Sequence, residues 1–131
     1  MAAERIVAVA LTLTPDPTLL PVVKGLVNRL AEQLGMEEAQ RMNLQHAVGQ
    51  ACRPLLERRN GRAPGEVRLE LSGFRDRLEI LVEGTAPEEP ADEAESFLLN
   101  QLFDRVTVEA EEAGRTRLAL VKYLRQGRSQ S

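Results

Sequence analysis

Two short runs constrain the fold of this chain more than any other feature. In EVRLELS, Val67, Leu69 and Leu71 alternate with charged and polar residues, and in RLEILVE, Leu78, Ile80 and Val82 recur at the same spacing. A period of two is that of a strand with one apolar face. Only GFRD separates the runs, so they predict an antiparallel hairpin. One apolar face of a hairpin has to be covered, and the rest of the chain must provide the layer that covers it.

That layer is legible upstream. Leu19, Val23, Leu26, Val27, Leu30, Ala31 and Leu34 follow helical spacing. Thr18 is the expected N-cap, Pro21 falls in the first turn, and Gly35 ends the helix. A second helix is expected from Met36 or Glu37, with Leu44, Ala47, Val48, Ala51, Cys52, Leu55 and Leu56 as its stripe. RIVAVALTL (5–13) predicts a first strand, ended by TPDPT. RRNGRAPG reads as a turn-rich loop, GTAPEEPADEAE as an irregular acidic segment and SFLLNQLF as a short helix. RVTVEA and RTRLALVKYL predict two further strands about a turn at EEAG. The order β-α-α-β-β-α-β-β predicts an α+β fold: a two-layer α/β sandwich with a mostly antiparallel sheet and the helices on one face. Residues 1–124 are expected to form one domain, with 125–131 as a C-terminal tail.

Composition narrows the classes. Of the 131 residues, 43% are hydrophobic and 28% charged, and the net charge is −3. A weakly acidic chain lacks the basic footprint of a nucleic-acid binder. No apolar run approaches the roughly 18 residues of a membrane-spanning helix. The N-terminus reads as a strand rather than a signal peptide. One cysteine allows neither an internal disulfide nor a cysteine-based zinc site. The expectation is a cytoplasmic protein with an aliphatic core, no nucleic-acid partner and no membrane partner.

Three phrases in this order resemble the anti-sigma-factor serine kinases of the GHKL ATPase superfamily (the histidine kinase-like ATPase, or Bergerat, fold). NLQHAVGQACRPLLERR resembles the helix that carries their catalytic and magnesium residues. LEILVEGTAPEEP resembles the strand leading into their nucleotide loop, and LLNQLFDRVTVEAEEAGRTRLALVKYL their closing helix and strands. The resemblance implies a bacterial transcription regulator that works by partner switching. Its partners would be a sigma factor or an anti-sigma antagonist-type domain, and a homodimer is compatible with it.

The family's chemistry needs a glutamate base, a magnesium-binding asparagine one turn later, an aspartate that accepts from adenine, and glycines that let the backbone approach the ligand. Carried onto this chain, the base position falls on Gln50, which cannot take up a proton. The asparagine position falls on Pro54, which has no side-chain oxygen. The aspartate position falls on Gly84, or on Glu83 if the register slips by one, and the following glycine on Ala86. The second glycine stretch falls near Ala94, Glu95 and Ser96. Each motif is departed from within a kept hydrophobic frame. In addition, Glu88, Glu89, Asp92, Glu93 and Glu95 would repel a triphosphate. That acidic run reads first as a solvated loop, with a partner-binding segment as the alternative.

The resemblance thus implies a degenerate regulatory domain that acts by protein–protein binding, with no catalytic residue, no metal and no cofactor expected. The alternative is an ATP- and magnesium-binding serine/threonine kinase with variant motifs, in which Glu83 contacts adenine and Gln50 orients the hydroxyl. His46, on the polar face of the second helix, has no evident cysteine or serine partner for catalysis, and Cys52 on the apolar stripe reads as a small core residue.

Overall fold

The computed structural model describes residues 5–57, 65–85 and 93–124. The expected order is observed: β1 (Arg5–Leu13), α1 (Leu20–Gln33), α2 (Glu38–Leu56), β2 (Val67–Phe74), β3 (Arg77–Thr85), α3 (Glu93–Leu102), β4 (Arg105–Ala110) and β5 (Arg115–Tyr123). Single 3-10 turns stand at Pro17–Leu19 and Glu112–Gly114. The five strands form one antiparallel sheet in the order β1-β2-β3-β5-β4. The fold is α+β.

Strand alternation produces the two faces. Val67, Leu69 and Leu71 of β2, Leu78, Ile80 and Val82 of β3, and Leu118 and Leu120 of β5 are buried. They share a core with Val23, Val27 and Leu30 of α1 and with Leu44, Ala47, Val48 and Leu55 of α2. Each such Leu, Ile or Val removes a full side chain from water, a gain of about 1.5–3 kcal/mol. The intervening residues Arg68, Glu70, Glu79, Glu83 and Arg117 lie on the other face, which no described helix covers.

The entry to α1 differs from the expectation. Asp16 caps the 3-10 turn at Pro17–Leu19 that precedes the helix: its carboxylate accepts from the Thr18 N–H (2.9 Å) and from the Thr18 hydroxyl (2.8 Å). This turn delays the α-helix to Leu20, so Leu19 rather than Thr18 takes the N-cap position, and no side chain caps α1. Gly35 ends the helix as predicted, with φ +82°, a conformation that costs a side-chain-bearing residue strain. Glu37 then opens α2 with a capping box to Gln40. Arg41 ties the corner together, donating to the Asn28 side chain (3.0 Å) and to the Met36 carbonyl (2.8 Å).

Near the last helix, Phe103 is buried and Asp104 acts as a clasp. The Asp104 N–H donates to the Val121 carbonyl (2.9 Å), and its carboxylate accepts from the Tyr123 N–H (2.6 Å). The FD pair that contributes to the family resemblance is therefore structural here: it seats α3 and aligns β4 on β5. Among the described residues, no helix is long and apolar enough to cross a membrane.

Candidate functional site

A cavity of about 310 Å³ lies between α2, α3 and the β4–β5 hairpin. Its walls follow from local periodicity. On α2, Gln50 and Pro54 are one turn apart and so share a face, as do Ala51 and Leu55 beside them. On α3, Ser96, Leu99 and Asn100 have the i, i+3, i+4 relation. On the sheet, Val106 and Val108 of β4 stand directly opposite Leu120 and Leu118, and Leu118 and Thr116 complete the lining. Val108 is 67% exposed although it lies on the helix-bearing face, because α3 leaves it uncovered.

The lining is apolar with a few neutral polar groups. None of the described residues in it is an acid, a base or a cation. The Asn100 amide donates to the Ser96 carbonyl (2.9 Å), and the Thr116 hydroxyl to the Glu109 carbonyl (3.3 Å). The Gln50 amide, half-buried, makes no hydrogen bond to a described residue. Pro54 cannot donate to the Gln50 carbonyl, yet α2 continues for two more residues, and the Glu57 N–H closes the helix on the Arg53 carbonyl (3.2 Å).

The structure thus brings Gln50, Pro54 and Ser96 together on one cavity. It separates them from Glu83 and Gly84. Glu83 is on the uncovered face of β3, opposite Arg68 on one side and Arg117 on the other. Gly84 faces the helices but lies under α2: a Cβ there would meet the Leu55 Cβ at 3.4 Å. Ala86, Glu88, Glu89 and Asp92 fall outside the described residues. Glu93 opens α3 and is exposed.

The described residues do not fit a magnesium nucleotide in this cavity. Gln50 offers a neutral amide oxygen, Pro54 offers none, and neither residue at the aspartate position reaches the lining. No group of three or more His, Cys, Asp or Glu among the described residues could hold a metal ion. Cys52, fully buried behind the cavity wall, has its thiol pushed up to about 12 by burial, as suits an inert core residue. His46 is exposed.

Asn100, Val108 and Thr116 were not legible as site residues in the sequence. For Val108 and Thr116 the one signal is the alternation of RVTVEA and RTRLAL, which marks a face but not what stands over it. Compared with protein-family models and with curated proteins, the sequence matches none.

Proposed function

We propose that this chain is a degenerate anti-sigma-factor-like regulatory domain on a GHKL-type scaffold, acting by protein–protein contact and without phosphoryl transfer. One observation carries the reading. In the cavity that holds Gln50 and Pro54, the two positions where the resemblance puts a base and a metal ligand, the described lining side chains are apolar or neutral. Phosphoryl transfer needs cations and a proton acceptor around the phosphates, and the described residues of this lining offer neither. The partners to expect are a sigma factor or an antagonist-type domain.

The test has two arms. Thermal melts are run with and without millimolar ATP and magnesium. No change in midpoint is expected, whereas a ligand at a hundred times its Kd adds about 2.7 kcal/mol of stability, and such a shift overturns the reading. In the second arm, the tagged chain is used to capture partners from its native cytoplasm. A sigma factor or an antagonist-type domain in the eluate is expected, and the absence of both overturns the assignment.

A further inference from the structure

The uncovered face of the sheet carries a row of directly opposed residues whose charges alternate across four strands. Arg68 of β2 stands opposite Glu83 of β3, Glu83 opposite Arg117 of β5, and Arg117 opposite Glu109 of β4. Cross-strand pairs of opposite charge stabilise a sheet. The row ends at Glu109 because β4 is the edge, and a cation would continue the pattern on the next strand.

β4 also has a free hydrogen-bonding edge of known phase. The Glu111 N–H donates to the Arg115 carbonyl (2.8 Å), and the Glu109 carbonyl accepts from the Thr116 hydroxyl. The odd-numbered residues therefore point their backbone groups toward β5, and Val106, Val108 and Ala110 point theirs outward. No described strand takes those outward groups. Every residue of β4 except Val106 is exposed.

We infer that β4 pairs antiparallel with β4 of a second copy of this chain, about a two-fold axis through Thr107, to give one continuous ten-stranded sheet. This inference is independent of the functional reading above. A two-fold axis normal to the sheet keeps each side chain on its own face, so residues that pair must be an even number of positions apart. Centring on Thr107 sets Thr107 against Thr107, Val106 against Val108, and Arg105 against Glu109. The even-numbered residues then exchange backbone hydrogen bonds, which matches the phase of the free edge. Arg105 of the second copy becomes the cation that extends the row Arg68–Glu83–Arg117–Glu109, and by symmetry this happens twice. On the helix-bearing face, the exposed Val108 gains an apolar neighbour. Moving the axis to Val106 sets Arg105 against Thr107; moving it to Val108 sets Glu109 against Thr107 and leaves Arg105 only Glu111, beyond the end of β4, so neither places a cation against Glu109. The other sheet edge, β1, selects no such register, because residues 6–15 carry no charge. A six-residue ribbon is small beside the roughly 1,600 Å² of a standard interface, so the association is weak and depends on concentration.

The experiment is sedimentation equilibrium of the full chain over a concentration series, with three variants. Arg105→Glu sets glutamate against glutamate at both ends of the ribbon and should weaken dimerisation at least about tenfold. Arg105→Glu combined with Glu109→Arg restores opposite charges across the axis and should recover most of that loss. Circular dichroism checks that each variant folds, since Glu109 also faces Arg117 within its own chain. The third variant, Thr107→Cys, does not depend on charge. Cα atoms in a non-hydrogen-bonded pair are about 4.5 Å apart, within disulfide reach, so mild oxidation should yield a covalent dimer, whereas Arg105→Cys should not cross-link to itself. The buried Cys52 stays out of this reaction. A wild-type chain that is monomeric at every concentration overturns the inference. So does a dimer indifferent to Arg105→Glu, or one in which Thr107→Cys fails to cross-link.

Discussion

Gly84→Asp puts the missing acceptor at the position where the family resemblance wants it, and the structure says it will not be accommodated. Gly84 is buried on β3, and a Cβ added there meets the Leu55 Cβ and Cδ2 at 3.4 Å. That distance is ordinary contact, so Gly84→Ala should change stability by less than about 1 kcal/mol, with β-propensity favouring alanine. The aspartate adds a carboxylate pressed against Leu55. Its cross-strand neighbour is Thr116, whose hydroxyl already donates to the Glu109 carbonyl. A buried charge without a partner costs about 3 kcal/mol or more. For a chain of this size that lowers the melting midpoint by about 10 °C. Burial raises the carboxyl pKa in the folded state above its unfolded value. The folded state then binds more protons, so stability falls as pH rises through that interval and is regained on acidification. Urea melts of the wild type, Gly84→Ala and Gly84→Asp at pH 7 and pH 4.5 separate the steric part from the charge part. An aspartate variant as stable as the alanine variant at both pH values would refute the reasoning. It would show that position 84 opens past Thr116 into the cavity and can present an acceptor there.

Pro54→Ala should raise stability by about 1–3 kcal/mol, seen as a higher denaturation midpoint, because alanine restores the donor to the Gln50 carbonyl in the last turn of α2; a lower midpoint would mean that the ring's place in the cavity wall outweighs the lost bond. Cys52 should resist a thiol reagent at pH 8 in the folded protein and react at once in urea. Its thiol titrates near 12 when folded, above its unfolded value, so the folded state keeps its proton longer and stability should decline as pH rises above about 8.5.

Much of the architecture was legible in the sequence because it depends on short-range periodicity. The alternation of Val67, Leu69, Leu71 and of Leu78, Ile80, Val82 determines a hairpin with one apolar face. The stripes over α1 and α2 determine the helices that cover it, and the +82° φ at Gly35 is a local requirement of the corner between them. The shared face of Gln50 and Pro54 follows from one turn of helix. What the sequence could not determine depends on contacts between residues far apart in the chain. Inserting β5 between β3 and β4 makes β4 an edge, and nothing within RVTVEA signals that. The alternation that buries Leu78, Ile80 and Val82 already turns Glu83 to the other face, but only the seating of α2 closes Leu55 over Gly84. The acceptor position of the resemblance is thereby cut off from the cavity that holds Gln50. The entry to α1 also differs from the local expectation: a 3-10 turn capped by Asp16 precedes the helix, so Leu19 rather than Thr18 takes its N-cap position. The local pattern specified the elements and their apolar faces, and packing alone decided which side chains share a cavity.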